Sequence, residues 1–167
     1  MEKKEKKEQP PLGPWDVIHV FDPVIYSTRL YVISYHALQK TMSNDDVLAL
    51  LNEAFWLELG GDDGDASVEL CSWASSQLPR PWSLASTIPV SSKKDGWHGC
   101  LVLLNRKNLP LDVIAHEAVH CSDWLFSRLG ISHSSFLDGE PYAYYLQWVV
   151  RCILEVCGGK GRCCLPL

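Results

Sequence analysis

The sequence contains no long apolar run. None approaches the roughly 20 residues needed to span a bilayer, and charge or proline interrupts the longest stretches. Met1 to Gln9 alternates lysine and glutamate without an apolar segment, so no secretory signal is visible there. An excess of positive charge is also missing. With 15 Lys+Arg against 20 Asp+Glu the formal net charge is −5, which argues against a binder of phosphate backbones. Paired CxxC elements are absent, which excludes the usual cysteine-based zinc modules. The seven cysteines are odd in number, and the chain is long enough to bury a core without disulfide staples. We therefore expect mostly free, buried thiols in a cytoplasmic setting, with neither a membrane nor a nucleic-acid partner.

What is present is a globular composition. At 167 residues, 47% hydrophobic and 21% charged, the chain suits one domain and excludes a disordered or fibrous protein. We expect an α+β domain over residues 15–158, between a flexible leader (1–14) rich in Lys, Glu and Pro and a flexible tail (159–167). Trp15 to Asp22 and Arg29 to Ser34 read as strands flanking the Asp22-Pro23 turn. Ser43-Asn44-Asp45-Asp46 opens a helix with acidic residues at its positive end, and an apolar stripe from Val47 to Leu59 carries it to Gly60-Gly61. Asp62-Asp63-Gly64-Asp65 lacks the spacing and the final glutamate of a calcium loop and reads as a solvated turn. Ala66 to Ala74 is a candidate strand. Leu78 to Pro89 reads as a loop, with a short strand near Thr87 to Val90. Trp97 to Asn105 is the most apolar strand. A helix follows from about Leu111 to Leu129, with Pro110 in its first turn and Gly130 after its end. The last helix spans about Glu140 to Val156.

Chemistry concentrates in His116-Glu117-Ala118-Val119-His120, an HExxH motif within the first of these two helices. Four residues advance a helix by about 400°, which stacks the two imidazoles on one face, where both can hold one Zn²⁺. Glu117, offset by about 100°, is placed to act on a water as a general base rather than to ligate. Catalytic zinc needs a third protein ligand and an open position. Glu140 leads the candidates, because it opens the next helix and a short loop would return its carboxylate to the histidines. Cys100, His133 and Asp123 follow in that order. Asp123 shares the rigid helix with His120 and suits a hydrogen bond to a ligand histidine better than coordination.

This stretch, from about Gly99 to Cys157, resembles the gluzincin (thermolysin-like) branch of HExxH zinc metallopeptidases. HEAVH followed by Glu140-Pro141-Tyr142-Ala143 is similar to that branch's pattern of an HExxH helix and a glutamate on a following helix. The resemblance implies a zincin-like domain, a small sheet packed on these two helices. It also implies Zn²⁺ on His116, His120 and Glu140, with Glu117 as the base that helps cleave a peptide bond. Size and pattern are also similar to small metallopeptidase-like proteins of phages and prophages. The strand Gly99 to Leu104 is then the expected sheet edge on which an extended peptide lies. Tyr144, one turn beyond Glu140, is the tyrosine placed to donate to a developing oxyanion. Tyr142, Tyr145 and Cys121 read as packing residues, His19 and His36 as ordinary ones, and Trp82 and Trp97 as candidates to line a groove. A second reading, motivated by small size, is a zinc-stabilised, non-catalytic binding or inhibitory protein of phage type that keeps a vestigial peptidase site.

Overall fold

The two most apolar strands, distant in sequence, lie side by side in space. Leu30, Tyr31, Val32 and Ile33 run parallel to Cys100, Leu101, Val102 and Leu103, all of them buried. Parallel pairing demands a long crossover and cover on both faces; the intervening chain supplies the crossover and one cover, and the helices after the second strand supply the other. The structure is a computed structural model that describes residues 13–59, 66–69, 83–131 and 139–158. The leader up to residue 12, the Asp62–Asp65 turn, most of the loop before Glu140 and the tail after residue 158 fall outside that description.

After a short 3-10 turn at Pro14–Asp16 come β1 (His19–Phe21), β2 (Arg29–Ile33), a one-turn helix α1 (Tyr35–Leu38) and α2 (Asn44–Ala54). Then follow β3 (Phe55–Leu59), β4 (Ala66–Glu69), β5 (Ala85–Ser92), β6 (His98–Leu104), α3 (Leu111–Arg128) and α4 (Glu140–Val156). The six strands form one mixed sheet in the order β1-β2-β6-β5-β3-β4, and only the β2–β6 pair is parallel. The fold is α+β. Among the described residues no helix is long and apolar enough to cross a membrane.

Alternation along β2 and β6 divides the core in two. Tyr31, Ile33, Leu101 and Leu103 join Val47, Leu50 and Leu51 of α2 on one face. Leu30, Val32, Cys100, Val102 and Leu104 meet Ile114, Ala118, Cys121 and Leu125 of α3 and Val149 and Ile153 of α4 on the other. Cys100, Cys121 and Cys152 are buried free thiols within this second cluster.

Several expectations change; the strand expected from Trp15 to Asp22, for one, is a 3-10 turn at Pro14–Asp16 followed by β1 at His19–Phe21. The helix opened by Ser43, with a reciprocal Ser43–Asp46 capping box, ends at Ala54 rather than Gly60. Phe55 to Leu59 forms β3 because Phe55 and Leu57 are buried on the sheet while Trp56 between them is exposed, a two-residue period. The Pro-containing segment Ala85 to Ser92 is one strand of eight residues rather than a loop with a short strand. Finally, β6 is not an edge: β2 and β5 pair with both of its sides, so Gly99 to Leu104 offers no lane for an added peptide.

The two C-terminal helices, Leu111–Arg128 and Glu140–Val156, lie within a residue of their expected boundaries. Pro110 is the residue just before α3 rather than within its first turn. At the far end Gly130 takes φ +67°, which a side-chain-bearing residue adopts with strain. Gly130 and Ile131 donate their N–H groups to Ser127 and Phe126 oxygens at 3.0 and 2.9 Å, satisfying carbonyls the helix leaves open. α4 begins at Glu140 with Pro141 in its first turn. It packs along α3 through Tyr142, whose ring meets Phe126 and whose hydroxyl donates to Asp123 Oδ1 at 2.7 Å.

Candidate active site

Because Ile114, Ala118, Cys121 and Leu125 turn inward, α3 must present His116 and His120 on its outer side, where both are exposed. Their Nε2 atoms lie 3.0 Å apart, and the rings meet nearly perpendicularly with centroids at 4.6 Å. Two nitrogens bound at about 2.0–2.1 Å to a tetrahedral ion are about 3.3 Å apart. The observed pair is thus within a few tenths of an ångström of a two-histidine clamp.

Glu117 projects differently. It is 6% exposed and lies between α3 and the sheet, where Thr87 of β5 donates its hydroxyl to Glu117 Oε2 at 2.6 Å. A carboxylate so engaged is not a ligand beside the histidines, in keeping with a separate role. His120, Glu117 and Trp124 form one wall of a cleft of about 430 Å³, and Ala85 to Pro89 form the other.

The β5 wall has an unusual edge. Leu84 O accepts from Asn105 N–H and Ser92 N–H donates to Trp97 O, so even-numbered backbone groups of β5 face β6. Odd-numbered groups face the opposite way, as Lys93 N–H does toward Ala54 O. β3 covers that side only from Val90 to Ser92. At Pro89 there is no N–H to continue the ladder. Ala85 and Thr87 therefore turn backbone groups outward with no strand beside them among the described residues.

The third ligand is not gathered. Among the described residues no three His, Cys, Asp or Glu side chains are grouped to hold a metal ion. Glu140 is the exposed first residue of α4. The Tyr142–Asp123 bond sets that end of α4 alongside the helical turn after His120. Asp123 thus bonds a tyrosine of α4. Burial, followed by the adjacent Asp123 carboxylate, drives the Tyr142 phenol well above its ordinary pKa, which keeps it a donor. Tyr144 is 64% exposed on the same helix. Cys100 is fully buried against Cys121, on the inward side of α3, and burial pushes its thiol well up. It is not placed to join the histidines. His133 lies outside the described residues.

The sequence pointed to Glu117 and His120 but not to the β5 wall of the cleft, Thr87 included, nor to Trp124. Trp124 was legible in principle, since it follows His120 by four residues and so shares its face. Thr87 had no local signal, because only the tertiary fold lays β5 under α3. Trp97 instead lines a second cavity of about 250 Å³ with Ser27, Asp95, Gly96 and His98, while Trp82 is outside the described residues. His36 bonds Leu104 O through Nδ1 at 3.3 Å, and His19 is exposed on β1. Comparison of the chain with protein-family models, with curated proteins and with solved structures returns no match.

Proposed function

We propose that this chain is a zinc-dependent hydrolase of peptide bonds, with a zincin-like, gluzincin-type arrangement of its two C-terminal helices. The observation that carries the reading is the histidine pair, Nε2 to Nε2 at 3.0 Å, beside a nearly buried glutamate in a cleft. His116 and His120 would hold the ion, and Glu140 would close the site from the N-terminus of α4. Zinc bound there supplies a Lewis acid that polarises a carbonyl and brings the pKa of a water to about 7. Glu117 takes the proton from the water as its oxygen attacks the peptide carbon, then returns it to the departing amine. The outward backbone groups of Ala85 and Thr87 offer hydrogen bonds to an extended peptide, so the lane for strand addition belongs to β5. Trp124 provides an apolar wall for one of its side chains.

Glu117→Gln tests the catalytic half. The variant should keep its fold and its zinc and lose hydrolysis of a mixed peptide substrate by a factor of about 10² to 10⁴. Undiminished hydrolysis would remove Glu117 as the base.

The exposure of both histidines, with no three-ligand group among the described residues, favours a second reading. In it the chain is a zinc-stabilised, non-catalytic binding or inhibitory protein with a vestigial site. Wild-type protein that binds zinc stoichiometrically yet cleaves no peptide would select this reading.

A further inference from the structure

We infer that Thr87 is a positioning residue for Glu117, an inference that rests on the hydrolase reading above. A glutamate side chain has three torsions, and one that must meet a water in a single orientation needs a tether. Thr87 supplies it from outside the helix. Its hydroxyl carries one proton, and the 2.6 Å contact to Oε2 has the short length of a charge-assisted hydrogen bond. A second acceptor, the Glu117 carbonyl oxygen at 3.4 Å, is too far to compete for that proton. Oε2 is thereby fixed to the sheet, which leaves Oε1 for the water.

The tether is itself rigid. Thr87 sits opposite Val102, and its neighbours Ser86 and Ile88, whose backbone groups face β6, hold it beside that buried central strand. Branching at Cβ restricts its χ1 torsion further. The adjacent serine does not compete, because Ser86 Oγ lies 3.2 Å from Ser83 Oγ. Thr87 touches neither the histidines nor a reacting atom in this arrangement. It acts through Glu117, and it couples the strand that forms one wall of the cleft to the base on the other wall.

The test uses zinc-loaded full-length protein and acetohydroxamate, a small acid that binds zinc and shares its proton with a neighbouring carboxylate. Binding is measured by calorimetry beside zinc content and thermal unfolding, for wild type, Glu117→Gln, Thr87→Val, Thr87→Ala and Thr87→Ser. Thr87→Val and Thr87→Ala should keep zinc and weaken acetohydroxamate about tenfold or more, the scale of one charged hydrogen bond. Thr87→Ser, which restores the hydroxyl, should stay within about threefold of wild type. In peptide hydrolysis the same two variants should lower kcat with little change in KM. Wild-type affinity in both hydroxyl-free variants, alongside weakened Glu117→Gln, would overturn the inference and leave the hydrolase reading standing. Thr87→Ser as weak as Thr87→Val would also overturn it, since packing rather than the hydroxyl would then matter. Unchanged binding in Glu117→Gln would overturn the hydrolase reading and this inference with it.

Discussion

Individual charges in this protein are placed by specific donors, and Asp95 shows the balance away from the cleft. Burial by itself would raise its pKa. The Arg29 guanidinium at 2.5 Å, with Ser92 and the Trp97 N–H, outweighs burial and leaves the carboxyl below its ordinary value. Arg29 also stacks over the Trp97 ring at 4.5 Å, so one ion pair ties β2 to the turn before β6. A carboxyl whose pKa is lower in the folded state stabilises above its unfolded value, near 3.9, and loses that contribution as pH falls through the folded value. Asp95→Asn should therefore lower Tm at about pH 6, and the gap from wild type should close toward about pH 3. Thermal melts across that range check it; a gap that widens in acid would contradict the assignment.

At the scale of elements, the parallel β2–β6 pair brings two backbones into close approach at Gly99. Gly99 lies opposite Arg29, and a Cβ there would stand 2.0 Å from the Arg29 carbonyl oxygen and 3.0 Å from the Tyr31 ring. Backbone on a central strand has little room to yield. Gly99→Ala should cost about 3 kcal/mol or more, read as a lower urea midpoint with an unchanged slope. A loss below about 0.5 kcal/mol would mean that the strands are not packed this closely. The sequence made the helices of the candidate site readable, because Pro110, Gly130 and Pro141 punctuate them and their apolar residues recur at helical spacing. β3 was not readable. Leu51, Phe55 and Leu59 continue a four-residue period just as Phe55, Leu57 and Leu59 make a two-residue one. Only the edge of β5, distant in sequence, decides between them. β5 itself is poorly signalled, since its polar positions serve the cleft and Pro89 ends a ladder rather than a strand. The same long-range pairing explains why β6, the most apolar strand, sits in the middle of the sheet instead of at an edge.

For the whole molecule, the sheet is a partition. α2 seals one face, α3 and α4 seal the other, and the cleft opens where β5 runs beside α3 with no strand on its free side among the described residues. That arrangement puts HExxH, the most legible motif in the chain, next to Trp124 on its own helix face and next to Thr87, which no local pattern announced. The far end of α3 is fixed as well, by Arg128 donating to Glu58 of β3 at 3.2 Å while Glu58 also bonds His98. The HExxH helix is thus tied to the sheet at two points, Glu117 in its first half and Arg128 at its end. We propose that this helix and the start of α4 hold one zinc ion together. That shared site is tested most directly by the metal content of purified wild type, His116→Ala and Glu140→Ala after equilibration with zinc and gel filtration. One zinc per wild-type chain and loss of the ion in both variants are expected, with the fold retained by circular dichroism. Zinc-free wild type, or undiminished zinc in His116→Ala and Glu140→Ala, would contradict it.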